Sequence, residues 1–219
     1  MLSHFLFTFY KFIYIIFVNM DLLSYLKKNY QKGELIFQKD INVLSSDNVR
    51  QQRKSLSDER KIIRYQRGVY LLPRKDKDYG IILPSRETYL YSSYLSRRGH
   101  HFGYYDAKTQ LIQAGLLKQE NNSIVCFSNE TSIKKETDSW LILPSKVEIT
   151  DWNYKVLSLL ELLSKIEDFN TDRQKTQTFL KERIRSGNIQ RIDRDFYASN
   201  FSLQVYKSIF DYSLATYIH

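Results

Sequence analysis

The sequence is poor in the residues on which disulfide-rich, fibrous and nucleotide-binding proteins depend. Only 7 of the 219 residues are glycine and 3 are proline, which excludes collagen-like and linker-dominated chains. The glycines do not form a P-loop or a dinucleotide-binding fingerprint, which disfavours the common nucleotide-binding enzymes. The single cysteine, Cys126, cannot form an internal disulfide, and four histidines offer few metal ligands. We therefore expect no metal, no other cofactor and a reducing, cytoplasmic location.

Charge and composition predict a folded basic protein. Lys and Arg number 33 against 24 Asp and Glu, and the resulting net charge of +9 favours nucleic acid or an acidic protein as a partner. Hydrophobic residues make up 42% and charged residues 26%, which disfavours both disorder and a polytopic membrane protein. The length of 219 residues allows one large domain or two small ones.

The first nineteen residues differ from the rest of the chain. Fourteen of them are apolar or aromatic, but the longest uninterrupted run is only Phe12 to Val18. A membrane-spanning helix needs about 20 apolar residues, and a signal peptide needs a small-residue cleavage site that is missing here. We expect residues 1–19 to be a hydrophobic extension from a mis-assigned start, Met20 to be the functional start, and no membrane partner. An amphipathic membrane anchor is the alternative.

Residues 20–73 have the pattern of a winged helix-turn-helix domain. Apolar residues at helical spacing predict a first helix from Leu22 to Tyr30, and a short second helix is expected after Phe37. Ser45 and Ser46 offer N-caps to a third helix from Asp47 to Ser57.

Two β-prone runs follow the third helix. Residues 61–66 and 69–73 are joined through Arg67 and Gly68, where glycine allows the positive φ of a tight turn. This hairpin would be the wing. Between Ser45 and Arg67 the chain has seven basic and three acidic residues, so positive charge is concentrated where DNA would bind.

The third helix and the wing supply the predicted DNA-binding residues. Side chains of these types contact phosphates and the edges of guanine and adenine in the major groove. The predicted set is Ser46, Asn48, Arg50, Gln51, Arg53, Lys54, Arg64, Gln66 and Arg67. The alternative is that these charges are solvated faces of a helical module that binds only protein.

From the wing onward, the sequence resembles a known family. The resemblance rests on Arg64 to Pro73, Gly80, Arg97-Arg98-Gly99, Gly103-Tyr104-Tyr105, Ala107, Gly115-Leu116, Gln119, Val147-Glu148-Ile149-Thr150 and Asn153, in this order. These residues resemble the AbiEi-type antitoxins of type IV toxin–antitoxin systems, over about Met20 to Ile166. The sequence departs from the family after Gly115-Leu116, where small hydroxylated residues are replaced by Leu117 and Lys118.

The resemblance implies a non-enzymatic protein with two roles in phage defence. The winged helix would bind double-stranded operator DNA and repress its own operon. The rest of the chain would counteract a cognate nucleotidyltransferase-like toxin by indirect antagonism. Two alternatives remain, namely a winged-helix regulator without a toxin partner and a metal-dependent DNA-acting enzyme.

The segment 74–219 is predicted to be a mixed α/β interaction domain with a helical C-terminus, so the whole chain is expected to be α+β. Helices are expected from Pro84 to about Ser96 and from Asp106 to Ala114. The runs YGIIL, SIVCFS and WLILP are predicted to form one small sheet beside these helices, with Cys126 in its core.

The end of the chain is predicted to be helical. An apolar helix capped by Thr150 should run to Ile166, either at the centre of the domain or covered by a partner, and a second should begin at a capping box of Thr171 and Gln174. The apolar stripe of the last helix, from Leu203 to Leu214, is expected to pack within the chain, or else on another protein.

Several acidic and histidine pairs could be mistaken for catalytic or metal sites. Asp76 and Asp78, like Asp193 and Asp195, are spaced as in some phosphoryl-transfer enzymes but are interpreted as loop charges. The Glu59-x-Lys61 spacing of a nuclease lies between the third helix and the wing, where no metal pocket is expected. His100 and His101 should point to opposite faces of a strand and therefore should not chelate one ion.

Overall fold

The computed structural model of the chain describes residues 21–41, 46–119, 123–187, 189, 195 and 197–217. The chain divides into two compact units, Met1–Tyr89 and Leu90–His219. Residues 74–89 therefore group with the first unit and not with the expected second domain of residues 74–219. Both units contain helices and strands, so the predicted α+β class is confirmed. The predictions for residues 1–19, Met20, Ser45 and Asp193 lie outside the described residues.

The first unit begins with the predicted helices and hairpin. Its elements, in chain order, are α1 (Leu22–Asn29), β1 (Leu35–Phe37), α2 (Gln38–Ile41), α3 (Ser46–Asp58), β2 (Ile63–Gln66) and β3 (Val69–Leu71). The three strands form an antiparallel sheet in the order β1-β3-β2. The turn between β2 and β3 contains Gly68 at a φ of 76°, a conformation that glycine adopts without strain.

The two faces of this sheet are covered differently. One face packs against the helices through a core made of Leu22, Leu26, Tyr30, Ile36, Ile41, Leu56, Ile62, Tyr70 and Leu72. On the other face Leu35, Phe37 and Val69 pack against Tyr65 and Tyr89. The amphipathic pattern of α1 and α3 places their apolar residues on the first of these faces, because residues three or four apart share one side of a helix.

A second hairpin follows in the first unit. Strands β4 (Arg74–Asp76) and β5 (Gly80–Ile82) pair only with each other. The prediction that YGIIL joins the sheet of SIVCFS and WLILP was therefore wrong. The Oδ1 atom of Asp76 accepts hydrogen bonds from the backbone N–H groups of Asp78 and Tyr79, at 2.9 and 3.2 Å. This Asx turn closes a local hairpin, so β5 pairs with its neighbour in sequence.

The second unit is built on a four-stranded sheet. The boundary helix α4 (Arg86–Tyr94) is followed by the elements β6 (Ser96–Arg97), β7 (His100–His101), β8 (Gly103–Tyr105), α5 (Ala107–Gln113), β9 (Ile124–Ser128), β10 (Lys135–Glu136) and β11 (Trp140–Pro144). The sheet has the order β10-β11-β9-β8, and its central strands β9 and β11 are parallel. Gly103 is buried, and a Cβ atom there would lie 2.0 Å from the carbonyl oxygen of Tyr94, so the close approach of these backbones requires glycine.

Helices complete the second unit. They are α6 (Tyr154–Lys165), a 3-10 turn (Ile166–Asp168), α7 (Arg173–Gly187) and α8 (Gln204–Asp211). Helix α6 is buried along Val156–Leu163, which confirms its predicted central position. Helix α8 packs on it, and Ser208 Oγ donates a hydrogen bond of 2.8 Å to the carbonyl oxygen of Leu163. Packing of the last helix within the chain is thus confirmed, although Leu203, Tyr206 and Phe210 are exposed.

Thr150 caps the turn that leads into α6, whereas the predicted cap of the next helix was wrong. Thr150 Oγ1 accepts a hydrogen bond of 3.3 Å from the N–H of Asn153, and the N–H of Thr150 donates one of 2.7 Å to Asn153 Oδ1, directly before α6 begins at Tyr154. Helix α7 is capped by Asp172, whose Oδ1 accepts a hydrogen bond of 3.0 Å from the N–H of Lys175. A carboxylate next to the predicted Thr171 is an equally preferred N-cap, and its charge also favours the helix N-terminus.

In the described part of the chain, none of the helices combines the length and the apolar character that crossing a membrane requires.

Candidate nucleic-acid interface

An exposed groove lies between α3 and the β2–β3 hairpin of the first unit. It has a volume of about 590 Å³ and is open to solvent. It is lined by Arg50, Gln51, Arg53, Lys54, Ser57, Asp58, Arg64 and Tyr70. Four of these side chains are cationic and one is a carboxylate, so the groove is positively charged and favours an anionic ligand. We call it the α3 groove.

The α3 groove exists because α3 is amphipathic. Its inner side packs through Val49 and Leu56, and Arg50, Gln51 and Lys54 are exposed on its other side. Arg50 and Lys54 are four residues apart, and side chains at this spacing lie on the same side of a helix. The structure thus places Arg50 and Lys54 on one exposed side of α3.

Tyr70 joins the helix to the hairpin. Its ring is 9% exposed and belongs to the core, yet one side of it faces the α3 groove. The guanidinium carbon of Arg53 lies 5.2 Å from the ring centroid, a cation–π contact that holds this half-buried arginine against the sheet. On the hairpin, Arg64 is the cross-strand partner of Tyr70, so both side chains are on the same face of the sheet. Arg64 is thereby brought to the groove.

A β-bulge separates the hairpin residues that the sequence analysis grouped together. Arg64 pairs with Tyr70, but Gln66 pairs with Val69, so one extra residue is inserted in β2 between them. In a regular strand residues two apart share a face, whereas here Gln66 opposes Val69 on the face away from the α3 groove. Of these two predicted residues, only Arg64 therefore lines the α3 groove.

The other predicted residues lie near the start of α3 and in the turn of the hairpin. Arg67 is exposed in the turn of the hairpin and does not line the α3 groove. Asn48 is exposed one turn before Gln52, whose Nε2 donates a hydrogen bond of 2.9 Å to Asn48 Oδ1. Ser46 is the first residue of α3, and its side chain is outside the description.

Three groove residues were missed in the sequence analysis. Tyr70 was assigned only to a β-prone run, although the cross-strand register of a hairpin could have paired it with Arg64. Ser57 and Asp58 lie at the end of α3, one turn beyond Arg53 and Lys54, and helical periodicity alone could have placed them.

The nuclease-like spacing at the end of α3 forms a local ion pair. Glu59 Oε2 lies 2.6 Å from Lys61 Nζ, and Glu59 Oε1 accepts a hydrogen bond of 2.7 Å from Ser55 Oγ. The hydrogen bond from Lys61 lowers the pKa of Glu59. Within the described ranges, no group of three or more His, Cys, Asp or Glu residues could hold a metal ion.

The histidine pair of the second unit converges on one carboxylate. His100 Nδ1 lies 2.9 Å from Asp151 Oδ2, and His101 Nδ1 lies 3.4 Å from Asp151 Oδ1. The expectation that the two side chains point to opposite faces was thus wrong, because both rings contact Asp151 in the loop before α6. The hydrogen bond from the backbone N–H of His101 is the main reason why the pKa of Asp151 is lowered.

Cys126 is fully buried on β9, as predicted for a core residue. Burial raises the pKa of Cys126 to about 12, which disfavours the reactive thiolate.

A comparison with protein families matches one model, which covers residues 22–132 and is described as a family of unknown function, DUF6088. This match spans just over half of the chain. The chain belongs to DUF6088. The DUF6088 region begins at the first residue of α1, includes every residue of the α3 groove and ends after β9. No curated protein matches the chain.

We predict that Gln52 fixes the position of α3 against α1. The N–H of Leu22 donates a hydrogen bond of 2.8 Å to Gln52 Oε1, and this contact links two helices that are 30 residues apart in sequence. Gln52→Ala removes it and should lower the free energy of unfolding by about 1 kcal/mol. The neighbouring Gln51→Ala is the matched control and should change it by less than about 0.5 kcal/mol, because Gln51 is exposed. Urea unfolding followed by circular dichroism measures both; equal effects would contradict the assigned role.

Proposed function

We propose that this protein binds double-stranded operator DNA through α3 and the β2–β3 hairpin and acts as a winged helix-turn-helix transcriptional autorepressor. The observation that carries the proposal is that Arg50, Lys54 and Arg64, which come from two different elements, line one exposed groove. An α-helix with its side chains fits the major groove of B-DNA, and a basic hairpin beside it can contact the backbone.

The residues of the α3 groove suggest different roles toward DNA. Arg50 and Lys54 are exposed cations and suit phosphate contacts, which position the protein on the duplex. Gln51 is exposed between them, and its amide can donate to and accept from the edge of adenine. Arg53 is held on Tyr70, so its guanidinium is oriented before DNA binds.

The antitoxin role is proposed from the resemblance to the AbiEi-type antitoxins. In this proposal the protein antagonises a nucleotidyltransferase-like toxin indirectly, without enzymatic activity of its own and in the cytoplasm. The family to which the chain belongs has no known function, so this part of the proposal depends on the ordered motifs of the sequence. The alternative is a DNA-binding regulator without a toxin partner.

We predict that Arg50→Ala and Lys54→Ala each weaken binding to DNA from upstream of the protein's own gene. Each variant should lose affinity by a similar factor for every sequence tested, and the slope of log K against log salt should fall by about 1, because one phosphate contact is lost. Fluorescence anisotropy at several salt concentrations measures both quantities. Lys108→Ala removes one exposed charge from the second unit and should change neither. Unchanged affinity in both groove variants would refute the interface.

We predict a different result for Gln51→Ala. Because Gln51 is assigned to a base edge, its loss should reduce discrimination between the preferred and a mutated operator, by about 1–3 kcal/mol at the base pair concerned. Its affinity for random DNA and its salt slope should remain those of the wild type. Competition binding with single-base operator variants measures this, and an equal loss for all sequences would assign Gln51 to the backbone instead.

We predict that the gene is adjacent to one for a nucleotidyltransferase-like protein that is toxic when expressed alone. Co-expression of this chain should restore growth. Arg50→Ala should still restore growth when both genes are under a foreign promoter, because neutralisation is assigned to the rest of the chain. Absence of such a neighbour, or failure of the wild type to rescue, would leave a DNA-binding regulator without the antitoxin role.

A further inference from the structure

A second cavity lies in the second unit, between the sheet, α6 and the segment before α8. It has a volume of about 630 Å³, within the range of about 300–1,000 Å³ usual for small-molecule sites. Its aromatic and aliphatic lining residues are Tyr104, Phe127, Leu143, Val147 and Phe201, and three serines and one asparagine also line it. The charged residues that line it are Glu161, Lys165 and Lys146.

Glu161 is the unusual residue of this cavity. It lies on α6, the most apolar of the helices in the described residues, and is only 5% exposed. Lys165 Nζ lies 2.7 Å from Glu161 Oε1, but this buried oxygen accepts no hydrogen bond with acceptable angles. A buried carboxylate is costly unless it is both paired and hydrogen-bonded, so Glu161 is only half compensated in the free protein.

Lys165 is a poor permanent partner for this carboxylate. Its side chain is 46% exposed, and its ammonium also lies 5.8 Å from the ring centroid of Phe127. Lys165 therefore places its ammonium near a carboxylate and an aromatic ring. It reaches both from one turn after Glu161 on the same helix, α6. A cation that enters from solvent can occupy the same position with better geometry while the lysine moves into water.

The aromatic wall favours a flat cation. The rings of Tyr104 and Phe127 are 5.3 Å apart and tilted by 30°. Burial raises the pKa of Tyr104, so its hydroxyl stays protonated and adds no second negative charge. A guanidinium group stacks on aromatic faces and donates two parallel hydrogen bonds to a carboxylate, which an ammonium cannot do.

We propose that this cavity is a binding site for an alkyl guanidinium group, with Glu161 accepting its hydrogen bonds and Tyr104 and Phe127 contacting its plane and alkyl chain. The group can belong to free arginine or to an arginine side chain of a peptide. Lys146, which is exposed and also lines the cavity, can pair with the carboxylate of the free amino acid. The site is independent of the DNA-binding proposal, since none of its residues belongs to the α3 groove.

Calorimetric titration of the full chain tests the proposal with three probes, namely n-butylguanidinium, L-arginine and acetyl-Gly-Arg-Gly-amide. All three should bind, and n-butylamine should bind at least about tenfold more weakly than n-butylguanidinium, because it lacks the second hydrogen bond. Tighter binding of arginine than of the blocked peptide identifies the free amino acid as the source. Equal or tighter binding of the peptide identifies a protein side chain.

Two variants with opposite expected effects on the affinity for n-butylguanidinium make the test specific. Glu161→Gln should weaken n-butylguanidinium binding by about tenfold or more, because the charged acceptor is lost. Lys165→Met should strengthen it several-fold, because the competing ammonium is removed. Lys175→Met, an exposed lysine on α7, is the matched control and should leave the affinity unchanged.

The proposal is overturned if n-butylguanidinium binds neither the wild type nor Lys165→Met at 10 mM, about the weakest affinity of interest for so small a ligand. It is equally overturned if Glu161→Gln binds as the wild type does. Should Glu161→Gln fail to fold, Lys165→Met decides alone, since no gain in affinity over Lys175→Met contradicts the competition on which the proposal depends.

Discussion

The α3 groove depends on Tyr70, whose ring contacts Arg53 and whose position in the hairpin is directly opposite Arg64. Tyr70 belongs to the core that packs α1 and α3 on the sheet, so its position is fixed by apolar burial. The same ring lies under Arg53 and opposes Arg64 across the hairpin. One residue thus couples the stability of the first unit to the spacing of its cationic side chains, and a charged surface is held on a rigid support.

The charged residues of the two proposed sites differ in their exposure to solvent. At the α3 groove of the first unit, Arg50, Lys54 and Arg64 are exposed, so these charges cost little to the fold and are available to a polyanion. In the second unit a carboxylate is buried on the central helix α6, where its burial opposes folding unless a partner compensates it. The residues of the first site lie within the DUF6088 region, whereas Glu161 lies beyond it. The second site is therefore only partly inside the matched region, which contains its rings Tyr104 and Phe127 but not its carboxylate.

Elements with a strong local signal were predicted from the sequence. Helices α1, α3 and α6 and the β2–β3 hairpin follow from apolar spacing and from Gly68, because each depends on residues close in the chain. The errors concern a helix cap and a strand partner for which the sequence contains more than one candidate. Asp172 caps α7 in place of Thr171, and the Asp76 turn pairs β5 with β4 instead of the larger sheet. Each correct alternative was present in the sequence, but local patterns do not rank such alternatives by energy.

The sequence by itself determined that a basic, amphipathic helix precedes a basic hairpin, and it identified Arg50, Gln51, Arg53, Lys54 and Arg64 as a set. Only the tertiary structure decided that the bulge in β2 keeps Gln66, also predicted to bind DNA, out of the α3 groove and that Tyr70 lines it. The periodicity of α6 likewise did not indicate that Glu161 lines a cavity whose other walls come partly from distant strands. The physical reason is the same in each case. Helical periodicity is a property of neighbouring residues, whereas strand register and cavity walls arise from contacts between distant segments that form only when the core is packed.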